Sequence, residues 1–142
     1  MRSQSAEKAL TGLLRFLGAL TLLAVFAAIM PTTWMSAAND SLGLAPLDRS
    51  PLMEYLTRSL SAIYALLGAL TLYVAGDVKR YADFVAFAGG LTILFGLFLT
   101  MLGGWADLPA AWVWFEGPPT MFLGGLMFWL ARQVGDSPER RR

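Results

Sequence analysis

The chain contains no cysteine and no histidine. Without cysteine it can form no disulfide, offers no thiol nucleophile and holds no metal through sulfur. Without histidine it lacks the imidazoles of the usual zinc sites and of bis-histidine haem, and the side chain that most readily shuttles protons near neutral pH. Charge is scarce too: Asp, Glu, Lys and Arg make up 15% of the 142 residues, against roughly 25% in soluble proteins. The net charge of +1 supplies no electrostatic reason to bind nucleic acid. No Gly-rich phosphate loop, nucleophile elbow or metal motif is present. Acid–base work would fall to ten Asp and Glu, four Tyr or the Lys and Arg set. These absences favour a binding, transport or structural role over catalysis, with no cofactor and no metal expected.

What the chain does have is long apolar runs. Hydrophobic residues make up 56% of it, and no charge falls between Arg15 and Asp40, Arg58 and Asp77, Asp83 and Asp107, or Glu116 and Arg132. Four charge-free segments of membrane length indicate an integral membrane protein rather than a soluble bundle. The expected fold is all-α: one domain over residues 1–142, a four-transmembrane-helix bundle with an interfacial segment after the first helix. The spans are expected at about 10–30, 51–75, 84–102 and 119–133, with a polar tail at 134–142. A secretory leader is the rival reading of the first span, but its apolar run is long for an h-region of ~7–15 residues.

The second span organises the rest. Ser50 is a helix cap, and Pro51 suits the first helical position because its φ is preset and its missing N–H would be unpaired there anyway. Steps of three and four residues then place Glu54, Arg58, Ser61, Ala65 and Gly68 on one stripe, which begins charged and becomes small. In the third span Ala88, Thr92, Gly96, Thr100 and Gly104 recur at every fourth position. Such rows let helix backbones approach closely in lipid, where packing drives association. The two rows are expected to pack on each other as a tight hairpin between the second and third spans. Pro31 ends the first span, because the residue before a proline disfavours the α region. Asp77 or Asp83 is expected to cap the third.

Tryptophans mark the edges. Residues 32–49 are expected to form a short helix, capped by Thr32 or Thr33 and closed by Gly43, anchored in the headgroup region by Trp34; a loop folded over the bundle competes with this. Residues 103–119 read as a loop of interface type carrying Trp105, Trp112 and Trp114. Basic residues sort by side: Arg2, Lys8, Arg15, Lys79, Arg80, Arg132, Arg140, Arg141 and Arg142 fall on one, Arg49 and Arg58 on the other. This bias places both termini in the cytoplasm and requires four spans.

The polar oddities gather on the opposite side. Glu54 and Arg58 form an acid-to-base pair at i, i+4, worth a few tenths of a kcal/mol as an ordinary surface pair. The sharper reading turns Arg58 into the bundle to meet Glu116, since a desolvated carboxylate needs a partner. Tyr55 and Tyr64 would complete a polar ligand-binding pocket at the outer mouth. Asp77, Lys79, Arg80 and Tyr81 read as a cytoplasmic turn that signals topology.

Taken together, Arg15-Phe-Leu-Gly18, Pro31, Glu54-Tyr-Leu-Thr-Arg-Ser59, Tyr64-Ala-Leu-Leu-Gly68, Asp77-Val-Lys-Arg-Tyr81 and Glu116-Gly-Pro118 resemble small four-helix bacterial membrane proteins, loosely the DoxX-like group. The resemblance implies a fold and an inner-membrane address and transfers no catalytic residue. The expected function is a non-enzymatic inner-membrane protein that binds a lipid or small amphiphile at its outer mouth or supports a membrane complex, with membrane lipid, a homo-oligomer or a larger assembly as partner. The alternatives are a membrane enzyme acting on a lipid or isoprenoid through Glu54 and Glu116, and a small oligomeric transporter.

Overall fold

The computed structural model describes residues 2–41, 50–106 and 110–136. Among these the elements are six helices: α1 (Arg2–Leu22), α2 (Ala24–Ile29), α3 (Thr32–Ser41), α4 (Pro51–Val74), α5 (Ala82–Trp105) and α6 (Ala110–Gly135). Among the described residues three stretches are long and apolar enough to cross a membrane: Gln4–Ile29, Pro51–Val74 and Ala82–Trp105. The chain divides into two compact units, Met1–Leu13 with Val74–Arg142, and Leu14–Tyr73.

In the Leu14–Tyr73 unit, local chemistry sets most of the boundaries. Ser50 caps α4 as expected, its Oγ accepting from the Met53 N–H at 3.3 Å. Met30 is extended, with φ −63° and ψ 138°, which ends α2 at Ile29 just before Pro31. The first span departs from a single helix at about 10–30: α1 starts at Arg2, and Leu23 interrupts the path into α2. Thr21 lies next to the interruption. Its hydroxyl donates to the carbonyls of Leu17 and Gly18 at 2.8 and 3.2 Å, the back-bonding that tends to bend helices. α3 differs at its start. The Pro31 carbonyl, not a threonine, receives the first N–H groups, from Trp34 at 3.0 Å and Met35 at 3.2 Å, so Thr32 is already helical. Gly43, expected to close this helix, lies outside the described residues.

The glycines of this unit mark where α1 and α4 meet. A Cβ on Gly18 would lie 3.1 Å from the Gly68 carbonyl oxygen, and one on Gly68 would lie 2.8 Å from the Gly18 oxygen and collide with the Leu22 backbone nitrogen. Ala65 and Gly68 are the buried residues of α4. The small half of the α4 stripe is thus real, and its partner within the unit is α1.

In the other unit, α5 and α6 form an antiparallel pair packed through a second glycine seam. A Cβ on Gly96 would lie 2.8 Å from the Gly117 oxygen, and one on Gly124 would lie 2.7 Å from the Gly89 oxygen. The row that meets α6 is Gly89, Thr92, Gly96, Thr100 and Gly103, close to but not identical with the expected one. Gly103 replaces Gly104, which is exposed with open space around it. The expected α4 partner for this row is corrected to α6, since Thr92 and Thr100 crowd Gly124 and Gly117.

The fourth helix also differs. It was expected at about 119–133 but begins at Ala110 and runs through Pro118 and Pro119. These prolines cannot donate to the carbonyls of Trp114 and Phe115, so two rungs of the helical ladder are missing. The Thr120 hydroxyl donates to the neighbouring Glu116 carbonyl at 2.7 Å, the kind of local adjustment that lets proline persist in membrane helices. The expected 103–119 loop is therefore mostly helix, the end of α5 and the start of α6. At the start of α5 the cap position is held by Tyr81, which makes no side-chain cap bond. Asp77 instead accepts from the Arg80 N–H at 3.1 Å and shapes the turn. Asp83 sits in the first turn of α5, where a carboxylate favours the helix dipole.

Candidate functional site

Glu54 and Arg58 meet as expected. Arg58 Nη2 and Nε lie 2.9 and 3.1 Å from Glu54 Oε1. The remaining arm does something the sequence did not announce: Arg58 Nη1 donates to the Ala28 carbonyl at 3.0 Å. Ala28 lies one residue before the end of α2, where Pro31 and the extended Met30 prevent the helix from continuing. Its carbonyl is one of the four that a helix C-terminus leaves without an internal donor. A guanidinium there satisfies the acceptor and faces the negative end of the helix dipole. Arg58 is thus a cap delivered from another helix.

Tyr55 and Tyr64 do not share this stripe. At about 100° per residue, both point well away from the Glu54–Arg58 line, and both are exposed, at 68% and 41%. Glu116 belongs to the other unit and pairs locally: Trp112 Nε1 donates to its Oε2 at 2.9 Å, one turn back along α6. A shallow recess of about 420 Å³ beside this pair is lined by Ala111, Trp112, Phe115 and Glu116. Trp105 and Trp114 are exposed at the same end of the α5–α6 pair; in the other unit, Trp34 on α3 is exposed too.

A second recess lies at the opposite end of α5 and α6, where sequence reasoning placed only topology and capping roles. It has a volume of about 430 Å³ and its walls include Asp83, Phe87, Gly90 and Leu94 from α5 with Phe128 and Arg132 from α6. The Arg132 guanidinium stands over the Phe128 ring, 5.3 Å from its centre, a cation–π arrangement that holds the charge at the groove mouth. The available signal was spacing: Asp83, Phe87, Gly90 and Leu94 follow steps of four, three and four along one helix face.

The end of the unit that carries this mouth is its best-packed part. Ala6, Leu10, Val78, Ala82, Val85, Leu130 and Val134 are all buried there. An ion pair between Glu7 and Lys79 at 3.2 Å joins the start of α1 to the α4–α5 turn.

No protein-family model, curated protein or solved structure matches the chain.

Proposed function

We propose that the chain is a non-enzymatic integral membrane protein that binds a lipid or small amphiphile, alone, as a homo-oligomer or within a larger membrane complex. In this reading α6 is a fourth span, α3 lies at the membrane interface, both termini are cytoplasmic, and the membrane is the inner one of a bacterium. The observation that carries it is an inversion of burial. Beyond the first two turns of α5, the residues buried are Gly89, Gly96 and Gly103, while Leu91, Leu94, Phe95, Phe98 and Met101 are exposed. α4 does the same, burying Ala65 and Gly68 and exposing Leu66, Leu67, Leu70 and Tyr73. Water would penalise such apolar faces heavily, whereas hydrocarbon favours them and rewards the close backbone contact that small residues allow. At about 1.5 Å per residue the 26 residues of α6 reach roughly 39 Å, enough to cross a ~30 Å core. The occupied donors of Arg58 give the Glu54 cluster a structural use, so the lipid-binding reading rests on the apolar faces.

The absence of cysteine makes the topology directly testable. Single substitutions Gln4→Cys, Ala106→Cys and Asp136→Cys each create the sole thiol of the chain. With a membrane-impermeant maleimide applied to intact cells stripped of their outer layer, Ala106→Cys should label while Gln4→Cys and Asp136→Cys should label only after lysis. Labelling of Asp136→Cys before lysis would remove the fourth span. Native mass spectrometry of the protein released from gentle detergent should show retained lipid. A bare polypeptide under conditions that preserve lipid on a control membrane protein would overturn the binding role.

A further inference from the structure

We infer that the groove between the start of α5 and the end of α6 is a site for one glycerophospholipid with a primary-amine headgroup. The inference rests on the membrane reading above. Its first support is polarity along a single axis. Asp83 and Arg132 stand at one end of the groove, and Phe87, Gly90, Leu94 and Phe128 form its body. From Asp83 to Leu94 the helix rises about 16 Å, close to half of a ~30 Å hydrocarbon core. The groove therefore has the depth of one leaflet, with charge at the headgroup level and apolar side chains beneath it.

The headgroup class follows from the two mouth charges. A guanidinium binds phosphate through paired N–H donors, and a carboxylate accepts hydrogen bonds from a primary ammonium. Arg132 and Asp83 thus offer one partner for each half of a phosphate–ethylamine headgroup. A quaternary ammonium has no N–H to give Asp83, and a purely anionic headgroup would meet that carboxylate as a like charge.

Gly90 supplies the hollow. A Cβ built on Gly90 meets no atom within 4 Å, so the backbone is bare there although no other helix needs to approach it. This separates Gly90 from the seam glycines at 89 and 96, whose missing side chains are required for helix contact. Filling the Gly90 position should close the groove without disturbing the α5–α6 seam.

The test is native mass spectrometry of the full chain in detergent. The protein is titrated with phosphatidylethanolamine, phosphatidylcholine and phosphatidylglycerol of matched acyl chains. We expect ethanolamine lipid to be retained over choline lipid by about tenfold or more, the scale of one hydrogen bond to a charged group. Asp83→Asn should abolish that preference while leaving choline lipid binding in place. Arg132→Gln should weaken both by a similar factor, and Gly90→Leu should remove the bound lipid while keeping the thermal transition of the parent. Equal retention of all three lipids, preference for glycerol lipid, or unchanged binding in Gly90→Leu would overturn the inference. A dimer in the parent that Gly90→Leu converts to monomer would also overturn it, by assigning the groove to a second copy. Failure of the membrane reading would look different, because the protein would then remain soluble without detergent and fail to enter liposomes.

Discussion

Arg58 Nη1 donates to the Ala28 carbonyl at 3.0 Å, across 30 residues of sequence, while two other nitrogens of the same guanidinium engage Glu54. One planar group therefore closes the end of α2 and fixes the first turns of α4 against it. The acceptor exists because Pro31 stops the helix, so a helix-breaking residue and a distant cation form one structural device.

Removing this device should be measurable. Arg58→Ala should destabilise the detergent-solubilised protein by about 1.5–3 kcal/mol, the range for a hydrogen bond to a charged group. Arg58→Lys should fall in between, because an ammonium lacks the fork that reaches Glu54 and Ala28 together. Unfolding in graded dodecyl sulfate reads both. An Arg58→Ala transition superimposable on the parent would show that water caps Ala28 equally well.

The α5–α6 seam predicts a contrast between two glycines eight residues apart. Gly96→Leu should cost several kcal/mol or prevent folding, since even its Cβ would lie 2.8 Å from the Gly117 oxygen, tighter than the overpacking that typically costs 1–3 kcal/mol in ordinary cores. Gly104→Leu adds the same side chain where a Cβ meets open space, and should leave the transition within about 0.5 kcal/mol of the parent. Equal behaviour of the two in a thermal melt would contradict the seam.

Ser50→Ala tests the start of α4. Losing the bond to the Met53 N–H should cost about 1 kcal/mol, the usual value for a serine cap. Ser50→Asp should restore most of it, because a carboxylate accepts the same bond and favours the helix N-terminus. Failure of the aspartate variant to recover stability would mean that the serine acts through something other than capping.

The Glu7–Lys79 pair should matter little. Its side chains are 31% and 48% exposed, so solvent screens the attraction, and Glu7→Gln should shift stability by no more than about 0.5 kcal/mol. That small difference should vanish near 1 M salt, where the screening length is about 3 Å. A larger or salt-insensitive change would indicate a buried role for Glu7.

Much of the fold was legible from residue order. Ser50–Pro51 announced the start of α4, Pro31 announced the end of α2, and the charge-free run from Phe84 to Leu102 announced α5. The candidate site was less legible. Glu54 and Arg58 share a helix face and were paired on that ground, but nothing local ties Arg58 to Ala28. Glu116 bonds Trp112 rather than Arg58, by the same i, i+4 spacing that pairs Glu54 with Arg58. The Asp83–Arg132 groove was missed because each residue had a sufficient local use, one at a helix start and one as a basic flank.

Composition, periodicity and cap chemistry act over one or two turns, so they carry the helical class, the apolar spans and several helix ends without reference to any neighbour. The choice of neighbours lies beyond that range. A small-residue row offers close approach to any helix that presents another, and the rows on α1, α4, α5 and α6 are chemically interchangeable in that respect. Gly68 pairs with Gly18, and Gly96 with Gly117, because the three-dimensional path of the chain brings those backbones together. The same path gives the Ala28 carbonyl its donor and leaves Gly90 facing an open groove, since an unpaired acceptor and an empty volume are defined only by what surrounds them.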